Sequence, residues 1–131
     1  MTTSAETSGG EPNAAVTREV IRLHVEVAGR GPDRAYSVHH ANLMLTVLEG
    51  TMSAGERRLA GNGQGEAVRA MKRLVHQLME DDLRESVGRI TGRQVLALLG
   101  DSHLEPDLIV TVFVLAPGPA APTKRGAADA R

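Results

Sequence analysis

The chain has no cysteine and no tryptophan, and Tyr36 and Phe113 are its only aromatic residues. Without cysteine there is no disulfide framework, no thiolate metal site and no cysteine nucleophile. Two aromatics provide no stacking platform for bases or sugars, so the core has to be assembled from Leu, Val, Ile, Met and Ala. Neither sign of charge dominates. Lys and Arg number 15 against 16 Asp and Glu, so the basic excess of a nucleic-acid binder is missing and no nucleic-acid partner is expected. Long apolar runs are missing too: the longest, 43–48 and 108–117, fall far short of the ~20 residues of a membrane-spanning helix. No basic stretch followed by an apolar run opens the sequence, so a cytoplasmic protein without a secretory signal is expected.

Residues 1–15 and 118–131 are rich in Thr, Ser, Gly, Pro, Ala and charge. Such segments bury too little surface to offset their ordering entropy, and both are expected to be disordered tails around one domain, 16–117. Within it, Val16, Val20, Leu23 and Val27 recur at helical spacing over about 14–28, stopped by Gly29 and Pro32. A weak strand over 34–39 and a stronger one over 43–49 follow, joined by a turn at 40–42. Ser53 and Glu56 form a capping box that opens a short helix, 54–60. Gly61 to Gly65 reads as a loop. A long helix over 66–79 carries Val68, Met71, Val75, Leu78 and Met79 as its apolar stripe. Asp82 to Glu85 repeats a helix-start signal, which predicts a break and a further helix with Leu83, Val87 and Ile90. Strands over 94–99 and 108–115 close the domain, with 100–107 as a long hairpin loop.

The order α-β-β-α-α-α-β-β predicts an α+β fold in which helices pack an antiparallel sheet of about four strands, built from two hairpins. Both faces of that sheet are apolar: Leu108, Val110, Val112 and Val114 alternate with Ile109, Phe113 and Leu115. A sheet with one wet face would alternate apolar with polar residues. Either the helices divide between the faces or a second copy covers one of them. Two striped helices fill one face, so a homodimer is expected.

These residues resemble the MpsC-like family over about Val16 to Pro117. The resemblance rests on Gly29-Arg30-Gly31-Pro32, on Val47-Leu48-Glu49-Gly50 followed by Ser53 and Glu56, on Ile90-Thr91-Gly92-Arg93-Gln94-Val95, and on Val112-Phe113-Val114-Leu115. Gly100-Asp101 departs from it, standing where a Ser-Asp pair is common, and the Arg often found before the long helix is absent from Gly63 to Glu66. Family members are named for a bacterial system linked to membrane-potential generation and inorganic-carbon supply. The resemblance implies a small accessory component of such a membrane-transport complex and brings no active site with it.

Several residue groups invite chemistry. Gly29 to Arg34 begins like a dinucleotide fingerprint, yet it follows a helix and lacks the third Gly, so it reads as a helix C-cap. Its functional alternative is an anion turn, in which the Gly29 and Gly31 amides and the Arg30 and Arg34 guanidiniums hold bicarbonate, a carboxylate or phosphate. Arg69, Lys72, Arg73 and His76 form a basic side of the long helix, read as a solvated face answered by Glu66 and Glu80 or as a docking face. His39-His40 and His24-Val25-Glu26 fail as metal pairs, because neither spacing converges on one face. Ser86, Asp101, Ser102 and His103 hold the letters of a hydrolase triad without a nucleophile elbow. No metal, cofactor or catalytic residue is expected. The leading expectation is a non-enzymatic partner-binding or regulatory module, followed by a small-anion sensor and then an enzyme of unfamiliar type.

Overall fold

The computed structural model describes residues 10–118. The expected tail segments 1–9 and 119–131 lie outside the described residues. The elements are α1 (Glu11–Ala28), β1 (Arg34–His40), β2 (Leu43–Glu49), α2 (Ala54–Leu59), α3 (Gly65–Thr91), β3 (Val95–His103) and β4 (Leu108–Leu115), with a π-type turn over Ala60–Gln64. The strands form one antiparallel sheet in the order β1-β2-β4-β3, an α+β fold.

Four boundaries differ from the sequence reading. α1 begins at Glu11, so 11–15 are helical and do not belong to a tail; Pro12 suits a first turn, and Asn13 is wholly buried. α3 runs unbroken through Asp82. Met79, Leu83 and Val87, each four residues on from the last, are buried in the core, and that continuous stripe outweighs the local start signal. The 61–65 segment is a helical kink, with Asn62 and Gly63 departing from helical angles. β3 extends through Gly100, Asp101 and Ser102 to His103, because these residues pair with Thr111, Val110, Ile109 and Leu108. The capping box at Ser53 and Glu56 is formed in both directions, at 3.1 and 2.9 Å.

Both long helices lie on one face of the sheet. Val16, Val20 and Leu23 of α1 and Met79, Leu83 and Val87 of α3 share a core with Met44, Leu48, Leu98, Phe113 and Leu115. Strand register sorts this face into cross-strand rows: Leu48, Ile109 and Ser102; Ser37, Thr46, Thr111 and Gly100; Met44, Phe113 and Leu98. The middle row is polar although it sits in the interior. Thr17 Oγ1 donates to the Asn13 carbonyl at 2.9 Å and lies 2.6 Å from Ser37 Oγ, which lies 2.8 Å from Thr46 Oγ1. A carbonyl only accepts, so each proton has one place to go: Thr46 donates to Ser37, Ser37 to Thr17, and Thr17 to Asn13. This chain ties the first turns of α1 to β1 and β2.

The opposite face carries Tyr36, Val38, Leu43, Leu45, Val47, Leu99, Val110, Val112 and Val114. Among the described residues no helix packs on it: α1 meets β1 and β2, and α3 meets β3, through the core side. Leu43 and Leu99 are exposed. On α3, Met71 and Leu78, expected in the stripe, are 50% and 70% exposed and lie with Leu74 on the outer side. The buried stripe follows the positions of Val68, Val75 and Met79 instead.

Candidate functional site

α1 and α3 run antiparallel. At one end Ser86 donates to the Glu19 carboxylate at 2.8 Å. Towards the other end a cavity of about 390 Å³ opens between the helices and the sheet. Leu48, Ile109, Thr111 and Ser102 line it from the sheet, Val20 and His24 from α1, and Lys72, His76 and Met79 from α3.

The polar groups fall into two sets. At one end Lys72, with only 9% of its side chain exposed, lies 3.6 Å from Glu56 Oε1, and its Nζ donates to Thr51 Oγ1 at 3.3 Å. Arg30 Nη1 donates to the carbonyls of Met52 at 2.8 Å and Gly50 at 3.4 Å. Asp107 accepts from the Met52 amide at 2.9 Å and from Thr51 Oγ1 at 3.2 Å. The segment after β2 is thus stapled from two sides. His24 Nδ1 is 3.0 Å from the Arg30 carbonyl, which only accepts, so the proton sits on Nδ1 and Nε2 is left as a bare acceptor. Burial pushes the His24 pKa down, and the nearby Lys72 and Arg30 charges add to that.

The second set gathers around His76, whose Nε2 is 3.4 Å from Thr111 Oγ1. Burial lowers its pKa as well, with Glu80 and Asp101 pulling the other way. Gly100 lies beneath the ring: a Cβ there would sit 2.7 Å from Nε2. Ser102 Oγ is buried at the cavity wall and has no hydrogen-bond partner.

Of the anion-turn residues, Gly29 caps α1 in the left-handed conformation, its N–H donating to the Val25 carbonyl at 2.8 Å. Gly31 passes close to Val25, where a Cβ would lie 3.3 Å from Cγ2. Arg34 faces Glu49 at 3.5 Å, on the sheet face away from the helices. Arg30 turns to the cavity instead, so the two guanidiniums are not brought to one anion. Of the basic side, Arg69 pairs with Glu66 and Asp101 at 3.5 and 3.3 Å, while Lys72 and Arg73 line the cavity with Arg30. Among the described residues there is no group of three or more His, Asp or Glu that could hold a metal.

Residues 8–117 match the family described as the Na+-translocating membrane potential-generating system, MpsC. The chain belongs to the MpsC family. A relative from Bacillus subtilis (strain 168), the uncharacterized protein YrhF, is 31% identical over 99 residues, covering 73% of this chain and 81% of its own. No solved structure matches. The motif residues that carried the MpsC resemblance have structural work: Arg93 donates to the Ala116 carbonyl at 2.7 Å and to Asn42 Oδ1 at 2.8 Å, tying the end of α3 to the sheet.

The sequence reading names three residues of the MpsC cavity, His24, His76 and Ser102, without bringing them to one site. His24 follows Val20 by four and so lies on the apolar stripe of α1, a signal that marked it for burial. His76 was grouped with the basic side, yet it follows Val75 and precedes Met79 by three, which places it near the inward edge. Ser102 fell in an expected loop, and only the extension of β3 turns it inward.

Proposed function

We propose that the chain is a non-enzymatic, cytoplasmic accessory module of a Na+-translocating membrane potential-generating system, and that it binds protein partners through the bare face of its sheet, first among them a second copy of itself. Membership of the MpsC family supports the system. Among the described residues no helix is long and apolar enough to cross a membrane, in keeping with a peripheral role. The observation that carries the binding mode is the apolar sheet face opposite the helices.

That face has charge only at its rim, Arg34 and Glu49, and Asp101 of the edge strand turns its carboxylate to Arg69 of α3. It therefore offers a charged partner little to hold, whereas a second copy presents an identical apolar surface. Four strands about 4.8 Å apart and about seven residues long at ~3.3 Å each give a face of roughly 440 Å². Two copies bury roughly 900 Å², below the ~1,200–2,000 Å² of stable interfaces. The dimer is accordingly one that dissociates on dilution.

Light scattering coupled to gel filtration tests the dimer. Twice the 13.9 kDa chain mass is expected at high concentration, falling towards one chain on dilution. Val112→Glu, at the middle of the face, should be monomeric with its circular-dichroism melt retained. One-chain mass at every concentration overturns the dimer. In the native host, deletion of the chain should lower Na+-driven membrane potential, with rescue by the wild type and not by Val112→Glu. An unchanged potential overturns the accessory role.

A further inference from the structure

We propose that the cavity between α1, α3 and the sheet is a binding site for a small organic monocarboxylate with an apolar body. The inference is independent of the sheet-face reading and uses different residues. A volume of about 390 Å³ lies in the ~300–1,000 Å³ range of small-molecule sites, and is far larger than an inorganic anion fills. Val20, Leu48, Met79, Leu98 and Ile109 supply an apolar lining, which suits a hydrocarbon body.

A cluster of donors at one end of the cavity sets the head group. Arg30 and Lys72 mark one end, where both reach the 50–52 segment. Arg30 has five N–H donors and Lys72 three. Their hydrogen bonds to the Gly50 and Met52 carbonyls and to Thr51 use only part of that set. The acid at this end, Glu56, is already held: its Oε1 accepts from the Ser53 amide at 2.9 Å and lies 3.6 Å from Lys72. Donors are in surplus here, and a carboxylate answers them with charge-assisted hydrogen bonds. Elsewhere on the lining Glu80 adds an acid, and Asp101 is already paired with Arg69 at 3.3 Å. The donor surplus sits at the Arg30–Lys72 end alone, so the site takes one acid group there.

One further group, Ser102, favours a guest that brings polar atoms. Ser102 Oγ is buried without a partner, an arrangement that costs about 1–3 kcal/mol unless something supplies the missing bond. Ser102 borders the cavity.

The test is a titration of the full chain with straight-chain monocarboxylates of about four to eight carbons, a size matched to the cavity, followed by melting temperature and by methyl NMR. Acids are expected to raise the melting temperature saturably and to shift the Ile109 and Met79 methyl signals. Primary amides and amines of the same length, and bicarbonate, are expected to do neither. Equal effects from amide and acid, no effect from any acid, or shifts confined to residues outside the cavity each overturn the proposal. Lys72→Met should weaken binding roughly tenfold or more. Because Lys72 also supports Thr51 and Glu56, a second variant, Val75→Phe, fills the cavity and leaves every charge in place. It should keep the native melt and lose the ligand response; a folded Val75→Phe that binds as well as the wild type refutes the site.

Discussion

Replacing Ser37 by alanine breaks the buried hydroxyl chain at its middle link. Thr46 Oγ1 then has a proton with no acceptor, and Thr17 Oγ1 loses the proton it received, both in the interior. A buried polar group left unsatisfied costs about 1–3 kcal/mol, so Ser37→Ala should destabilise by that amount. Thr46→Val removes the donor while keeping the β-branched shape. Ser37 can still donate to Thr17, so the loss is one hydrogen bond, about 1 kcal/mol. The double variant has no dangling Thr46 proton, and its destabilisation should fall below the sum of the singles by about 1 kcal/mol or more. The assay is urea denaturation followed by far-UV circular dichroism, since the chain has no tryptophan. Additive costs within ~0.3 kcal/mol would mean that Ser37 and Thr46 are not coupled, and Thr46→Val costing more than Ser37→Ala would mean that the proton direction derived from the Asn13 carbonyl is wrong.

Two other perturbations follow from local geometry. His24 and His76 are buried with lowered pKa values, so below about pH 6.5 the unfolded chain takes up protons that the folded chain refuses. Stability should be level above neutrality and fall with pH from about 6.5, by at most about 1.4 kcal/mol per pH unit for each imidazole; a flat urea midpoint between pH 8 and 5.5 refutes this. The lowered carboxylates Glu19 and Asp101 add stability above their unfolded pKa values and lose it only in more acid solution. Ala41, in the turn between β1 and β2, has φ of 55°, a conformation that strains a residue with a Cβ by about 1–2 kcal/mol. Ala41→Gly should raise the melting temperature despite the added chain entropy, by a net stabilisation of about 0.5–1 kcal/mol.

The parts of the fold that the sequence made legible are those decided within a few residues. The capping box at Ser53, the helix stop at Gly29 and the alternation in β2 and β4 are all local, and each is present. The parts it hid are decided across the chain. Asp82 carries a start signal, but Met79, Leu83 and Val87 face one core and hold the helix through it. Gly100, Asp101 and Ser102 are turn formers by type, but β4 supplies their ladder partners, and His76 occupies the space that a side chain at 100 would need. Arg30 and Lys72 stood in separate candidate groups, anion turn and basic side. Only the antiparallel packing of α1 on α3 places them at one cavity end, and the same packing leaves Arg34 behind on the other face.

The strand order also has a temporal side. β1 with β2, and β3 with β4, are hairpins closed by a few residues, but the pairing that joins the two halves links Glu49 to Leu108. Closing a loop of nearly 60 residues instead of four adds almost four doublings of length, about 2 kcal/mol of chain entropy. The central seam is thus the slow contact to find, and the hairpins are the pieces that meet there. On a ribosome the asymmetry is sharper. At ~5–20 residues per second, the stretch from β2 to the end of β4 takes roughly 3–13 seconds to make. For that interval the nascent chain carries the edge of β2, with Leu43, Leu45 and Val47, as an open hydrogen-bonding ladder that its own later residues have yet to fill.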